Sequence, residues 1–384
     1  MRSKPPRIGM YFNPRQRLEL SLFEGVEAYA EAAETDWEVI PIPDYRFNTR
    51  EILPSMDLDG LVMATWHFKP MEGVKWRFPV SACYQERPIY PGSCMENSAA
   101  GRLAADHLLG LGAKTLVYFP DLSRDEMDAA RFAAFREQAE SQGRQVLRFT
   151  EGERMKGHGW SLENQIADLA GFLRNYGEPL GAFCFDDVHG ERMMLASQRA
   201  GRRIPEDVAI VAVTDTPAFC EAMRPGLSAV VVDSVGMGRA AAEILDRQLR
   251  GETEALHIQV PPKEVQARKS TQVLLSRDEY IVRANAWLEA HPPSEWSVEA
   301  LGAEMRCGAM TLFRRFRREL GRGPQEEIIR RKVERARLRL LETEDTVSSI
   351  AQDCGFADAA HFSRVFSKEA GMPPGQYRKT QQMK

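Results

Sequence analysis

The sequence has no run of about 18 apolar residues, so nothing in it predicts a membrane-spanning helix. Its first stretch, MRSKPPRIGMYFNP, carries positive charge but no apolar segment of the kind a secretory signal needs, which predicts a cytoplasmic protein with no membrane partner. Cysteine is scarce: Cys83, Cys94, Cys184, Cys220, Cys307 and Cys354 lie far apart, without a CxxC pair. That spacing argues against a zinc knuckle or a disulfide framework and for reduced structural thiols. The seven histidines show no metal-ligand spacing, and P-loop, HExxH and GxSxG motifs are missing. No metal, no cofactor and no enzymatic activity is predicted. GMGR at 236–239 copies part of a dinucleotide loop but lacks the third glycine and lies far from the first strand, so it reads as close packing at a helix start.

What is present is size and an uneven charge. A chain of 384 residues, 43% of them hydrophobic, can fill two or three domain cores. The net charge of −4 hides an asymmetry: from Ser276 onward 19 Lys and Arg stand against 16 Asp and Glu, whereas the part before it has 32 against 39. Arg306–Arg339 alone holds 12 basic and 4 acidic residues. An acidic body with a basic tail points to a polyanion partner for the tail, the alternative being a solvated, arginine-rich helix face.

An internal repeat bears on that choice. TLFRRFRRELGRGP (311–324) laid on HFSRVFSKEAGMPP (361–374) aligns Arg314 with Arg364, Phe316 with Phe366, Glu319 with Glu369, Gly321 with Gly371 and Pro324 with Pro374. Upstream, with one residue of slippage, Leu301 meets Ile350 and Glu304 meets Asp353, on short helical patterns that open at Ser297 and Thr346. Each unit thus predicts helix, tight turn, helix and glycine stop. Between them EEIIRRKVERARLRLLE has the apolar period of a connecting helix, through Ile328, Val333, Ala336, Leu340 and Leu341. Two helix-turn-helix units in one chain predict two segments of duplex DNA read in the major groove. In the first recognition helix Leu312 and Phe316 face a small core. Arg314 is the candidate for a guanine edge, and Arg315, Arg317 and Arg318 hold phosphates or stay solvated.

The last hundred residues resemble the AraC/XylS family of DNA-binding domains, above all over GFADAAHFSRVFSKEAGMPPGQYR from Gly355 to Arg378. By position, the resemblance implies base contacts at Met310, Phe313 and Arg314 in the first unit and at Ala359, Ala360, His361, Ser363 and Arg364 in the second, while Arg318 is the candidate phosphate contact beside them. Ala359 and Ala360 stand where polar residues are frequent, and Phe313 where a small or polar one is usual. This shifts the expected readout toward thymine methyl groups and DNA shape.

The first 270 residues alternate strand and helix patterns: RIGMYF, SLFEGVEAYAEAA, WEVIPIP, GLVMATW, later TLVYFP, GAFCF and DVAIVAV. Parallel α/β layers follow. Ligands of such sheets lie beyond the carboxyl ends of the strands, which directs attention to Asn13, Trp66, Asp186, Asp187 and Asp215, with Arg17 and Phe68 close by in the chain. Carboxylates, arginine and an aromatic ring together suit a polyhydroxylated ligand, although a strand-end aspartate also serves to cap the next helix. Four phrases in order, ENSAAGRLAADHLLGLGAKTLVYF, RFAAFREQAESQG, FCFDDVHGERMMLASQRAGRRIPEDVAIVAVTD and VVVDSVGMGRAAAEILDRQLRGE, are similar to the effector domain of LacI/GalR regulators. The resemblance implies an α/β two-lobed type I periplasmic-binding-protein-like domain over residues 1–275, followed by an all-α domain with two helix-turn-helix units over 276–384. It further implies effector contacts at Arg131, Asp186, Asp187 and Asp215, with Ala134 and Val213 replacing two usual glycines and Glu96–Asn97 at the place of a frequent Asp–Asn.

The sequence therefore predicts a sugar-controlled transcriptional regulator. Its expected partners are double-stranded operator DNA, a small sugar such as xylose or a relative, a second copy of the chain and RNA polymerase. PPKEVQARKSTQVLLSRDE, 261–279, is the expected connection between its parts. The alternatives are a cytoplasmic sugar-binding protein and an enzyme acting on sugars.

Overall fold

The computed structural model describes residues 4–13, 17–43, 49–64, 73–84, 89–121, 125–150, 161–214, 216–252, 254 and 256–382. The chain forms two compact units, Met1–Leu108 with Lys114–Gln272, and Leu109–Ala113 with Val273–Lys384.

In the first unit, β1 (Arg7–Phe12), α1 (Arg17–Ala32), β2 (Glu38–Pro43), α2 (Thr49–Ile52), β3 (Gly60–Ala64), β4 (Val80–Cys83) and β5 (Gly92–Met95) begin one sheet. Helix α3 (Asn97–Gly110) leads to the second, built on β6 (Thr115–Phe119), α4 (Asp125–Ser141), β7 (Gln145–Arg148), α5 (Leu162–Arg174), β8 (Leu180–Cys184), α6 (Asp187–Arg199), β9 (Val208–Val213), α7 (Pro217–Ala222) and β10 (Ser228–Val230). Helix α8 (Ser234–Leu249) and β11 (His257–Val260) return to the first sheet, and β12 (Val265–Gln266) joins the second. The strand orders are β11-β5-β4-β3-β1-β2 and β12-β10-β9-β8-β6-β7, parallel except for β10 with β12. Three crossings between the sheets make this the two-lobed architecture that the sequence predicts.

Strands β8 and β9, LGAFC and VAIVAV, are apolar throughout and buried at every residue, as expected for parallel strands covered on both faces. In the first lobe α1 lies directly on α8. A Cβ on Gly25 would sit 2.1 Å from the Val235 carbonyl oxygen, and one on Gly238 would sit 2.0 Å from that of Leu22, so GMGR serves helix packing. The expected connection is shorter than 261–279. Val265 and Gln266 pair with β10, Ser270 Oγ donates to the Ile210 carbonyl at 2.6 Å, and Thr271 Oγ1 lies 2.7 Å from Ser228 Oγ. Buried hydroxyl bonds, which leave no apolar period in the sequence, tie residues up to 271 into the first unit.

The second unit contains α9 (Glu279–Ala290), α10 (Val298–Met305), α11 (Ala309–Leu320), α12 (Pro324–Glu342), α13 (Val347–Asp353), α14 (Ala359–Ala370) and α15 (Pro374–Gln382). Ser297 and Thr346 cap α10 and α13, each accepting from the backbone N–H three residues on. Gly321 and Gly371 end α11 and α14 at φ 73° and 74°, the left-handed region that glycine enters freely. Two cores result. The first joins Leu274, Ile281, Leu301, Leu312, Phe316 and Ile328; the second joins Val333, Ala336, Leu340, Ile350, Phe362 and Phe366. Helix α12 feeds both, Ile328 into one and Val333, Ala336 and Leu340 into the other.

Candidate DNA-reading face and effector cleft

Helix α11 has three kinds of surface. Leu312, Phe316, Glu319 and Leu320 are buried. Met310, Phe313, Arg314 and Arg317, spaced three and four apart, are exposed on one stripe, with the Met310 and Phe313 side chains among the most exposed apolar groups of the protein, 69% and 45%. On a flank, Arg315 Nη1 and Arg318 Nη2 both donate to Asp278 Oδ2, at 2.5 and 2.6 Å, and Arg318 Nε donates to Glu319 Oε1 at 2.9 Å. Arg318, which the sequence places on phosphate or in solvent, is thus held beside the reading stripe by two carboxylates. Arg317 donates to the Gly321 carbonyl at 2.8 Å. Among the described residues Arg314 has no hydrogen bond or ion pair.

The second recognition helix repeats this stripe. Arg364 is exposed and, among the described residues, without a hydrogen bond or ion pair; Ala360 and His361 are exposed and Ser363 is half-buried. Asp358 caps the helix, accepting from the His361 N–H at 2.7 Å. That bond leads a set of hydrogen bonds and positive charges that hold the Asp358 carboxyl below its ordinary value. Ala359 packs against the second core.

In the first unit Arg131, Asp186 and Asp187, three candidate effector residues of the second lobe, lie at the carboxyl end of β8. Arg131, only 3% exposed, donates from Nε to Asn97 Oδ1 at 2.7 Å and from Nη1 to the Phe185 carbonyl at 2.5 Å, with its guanidinium 4.2 Å above the Phe185 ring. Asp186 caps α6: its Oδ1 accepts from the His189 N–H at 2.9 Å and from the His189 ring Nδ1 at 2.6 Å. Burial works to raise the Asp186 carboxyl, but the His189 bonds and charge together with Arg131 outweigh it and hold the group below its ordinary value. Asp187 is buried in the first turn of the same helix. Of the two roles considered for a strand-end aspartate, Asp186 therefore fills that of the helix cap.

On the first lobe Asn13 follows β1 and donates its N–H to Glu19 Oε2 at 2.5 Å. Glu19 is buried, and the Tyr84 hydroxyl lies 2.6 Å from Ser234 Oγ at the start of α8. Tyr84, with φ 60°, and Thr214, with φ 72°, are non-glycine residues in the left-handed region just past β4 and β9, a conformation that concentrates at ligand sites. Sequence reasoning missed Glu19, Tyr84, Ser234 and His189, because only the fold brings them to the strand ends. Trp66, Phe68, Asp215 and the side chain of Arg17 lie outside the described residues. Among the described residues no group of three or more His, Cys, Asp or Glu could hold a metal, no helix is long and apolar enough to cross a membrane, and all six cysteines are free.

A two-lobed α/β unit together with paired helix-turn-helix units defines a class, and comparison with known proteins gives the same division. Residues 105–271 match the periplasmic binding protein-like domain and residues 301–380 a helix-turn-helix domain. The chain is an AraC/XylS-type transcriptional regulator with a LacI/GalR-like effector domain. It is similar, from end to end, to the xylose operon regulatory proteins of Escherichia coli K12, 25% identical over 98% of each chain, and of Haemophilus influenzae, 22% identical over 97% of this chain and 98% of that one. Among solved structures, that of the xylose-binding transcription activator xylR shares the fold over 99% of each chain, with a TM-score of 0.61 and 23% identity.

Proposed function

We propose that the chain binds operator DNA through α11 and α14, and that a small sugar, xylose or a related pentose, controls this binding or the activation that follows it from the cleft of the first unit. The observation that carries the reading is the pair Arg314 and Arg364. They occupy one repeat position on two recognition helices, both exposed and both without a hydrogen bond or ion pair among the described residues, and an arginine left so is suited to the O6 and N7 edge of guanine. Helix α12, 19 residues or about 28 Å long, separates the two reading helices by a span comparable to one turn of duplex, about 34 Å. Base contacts fall to Met310, Phe313, Arg314, Ala360, His361, Ser363 and Arg364, with Phe313 and Met310 offering apolar surface to thymine methyl groups.

In the cleft, Arg131, Asp186, Asp187 and Asn13 would hold hydroxyl groups, Arg131 donating and the carboxylates accepting. Sugar then favours the closed form of the two lobes, and a hundredfold preference for it shifts the equilibrium by about 2.7 kcal/mol. The protein acts in the cytoplasm as a homodimer that meets RNA polymerase at the promoter, and it has no catalytic role. The names of its relatives favour xylose as effector, and the carboxylate-rich strand ends suit any sugar of that size. The test is binding of fluorescent duplex, selected by the protein from a random pool, across a salt series and with a panel of pentoses and hexoses. Steeply salt-dependent binding that one sugar alters is expected. No duplex binding, or binding indifferent to every sugar in the panel, would sink the reading.

A further inference from the structure

The first recognition helix carries two arginines, Arg315 and Arg318, that a duplex would attract and that the protein itself occupies. Their common acceptor is Asp278, whose side chain is 6% exposed although charged. Its Oδ1 accepts from the Tyr280 N–H at 2.9 Å and so starts α9, while Oδ2 takes both guanidinium groups. The arrangement is fixed from several sides. Arg315 lies 4.0 Å above the Tyr280 ring, Arg318 also donates to Glu319, and Ser276 Oγ both donates to Glu319 Oε2 at 3.1 Å and accepts from the Asp278 N–H at 3.0 Å. Two buried carboxylates thus neutralise two arginines one helix face away from the stripe that bears Arg314. Among the described residues the second helix-turn-helix has no such device: the repeat places Val365 and Lys368 at these positions, and Lys368 is exposed.

We infer that Asp278 is a specificity-determining residue, which withholds Arg315 and Arg318 from DNA phosphates. The inference rests on the DNA-binding reading above. Phosphate contacts raise affinity for every sequence alike, so each arginine withheld lowers random binding without lowering the discrimination made by Arg314. A helix with four arginines in five positions would otherwise be a sequence-blind electrostatic clamp.

The experiment uses the full chain and Asp278→Asn, because asparagine still caps a helix but carries no charge. Binding to a selected operator duplex and to a random duplex is measured across a salt series. In the variant, random-duplex affinity at low salt should rise roughly tenfold or more, and its salt slope should steepen by about one to two units, one per phosphate gained. The ratio of operator to random affinity should fall. Arg318→Gln should leave the slope of the parent unchanged but lower that of the Asp278→Asn variant. Parallel weakening of both affinities in Asp278→Asn, or a loss of slope in the parent carrying Arg318→Gln, would overturn the inference and make Asp278 a support for the helix. Random binding gained by the variant alone would sustain it even if the parent bound no duplex. Failure of both proteins on every duplex would remove the DNA-binding reading and the inference with it.

Discussion

Helices α11 and α14 end alike, at Gly321 and Gly371, and bury the same residue of the repeat, Phe316 and Phe366, but what packs against them differs. In the second unit, Phe356 with Phe362, Phe362 with Phe366, and Phe366 with Tyr377 have ring centroids 5.0, 5.4 and 5.4 Å apart. At the position that corresponds to Tyr377 the first unit has Glu327, fully buried, with Arg322, Arg330 and Arg331 on its two oxygens. Arg331 Nε stands 2.8 Å from Glu327 Oε1, and Arg322 also reaches the Gly110 carbonyl. Apolar contact between aromatic faces is indifferent to acid, whereas a carboxylate among three guanidinium groups holds them only while it is ionised. The repeat therefore keeps an apolar core in each unit while exchanging an aromatic ring for a charge cluster at one position, and the first unit should be the one that responds to pH.

The largest effects test whether the two cores are separate. Phe316→Ala and Phe366→Ala should each cost about 3 to 5 kcal/mol, since both side chains are fully buried. Hydrogen exchange should show α10 and α11 losing protection in the first variant and α13 and α14 in the second. Equal loss in both units from either change would merge the cores into one. Of similar size is Glu327→Ala, about 3 to 5 kcal/mol, because it leaves buried arginine charge without its acceptor. Burial alone would raise the Glu327 carboxyl, but the Arg330 and Arg322 charges and the Arg330 hydrogen bond hold it far below the usual carboxylate range. The sign follows: between the folded and unfolded values the unfolded chain binds the extra proton, so this stability is complete above about pH 4.5 and is lost as the pH falls through the folded value. Urea melts monitored in α10–α11 should weaken below that pH, and Glu327→Ala should flatten the dependence.

Much of this was legible in the residues. The repeat at an offset of 50, with its glycine and proline stops, gave both reading helices, and runs such as VAIVAV gave the parallel sheets, because helix period and strand burial leave local patterns. Arg314 and Arg364 could be singled out because the repeat marks them. The pairing of Arg315 and Arg318 with Asp278 could not, since Asp278 lies 37 and 40 residues away in sequence and nothing in RRFRR distinguishes one arginine from the next. Leu109–Ala113 escapes for the same reason: a turn after α3 supplies the Leu111 carbonyl to the Leu275 N–H at 2.7 Å, a partner more than 160 residues on. In the first unit, strand ends drew attention to Asp186 and Asp187, while Glu19, Tyr84 and Ser234 acquire their positions from the topology alone.

Smaller effects compare the two units as readers. Arg314→Ala and Arg364→Ala should each cost about 1 to 3 kcal/mol on the selected operator and relax preference at one base pair, a different one for each helix. Selection from a random pool by each variant reads this directly. Equal loss on operator and random duplex would assign that arginine to the phosphate backbone and shift base reading in its unit to the neighbours, Phe313 in one and His361 and Ser363 in the other.

The smallest expected effect lies in the turns. Between α10 and α11 the left-handed position is Arg306, at φ 50°, whereas between α13 and α14 it is Gly355, at φ 72°. A side chain there crowds the following carbonyl, at a cost of order 1 kcal/mol that glycine avoids, although glycine also has more freedom to lose on folding. The exchange is not symmetric. At Gly355 a Cβ would lie 2.3 Å from the Pro293 carbonyl oxygen, so Gly355→Ala combines strain with a clash against backbone and should destabilise. Arg306 is exposed and its side chain has no hydrogen bond or ion pair among the described residues, so Arg306→Gly removes strain without removing a contact. It should stabilise the first unit by about 0.5 to 1 kcal/mol in urea melts, with the salt slope of DNA binding unchanged. A slope lowered by about one unit would show instead that Arg306 holds a phosphate, and that the strained turn serves to place it there.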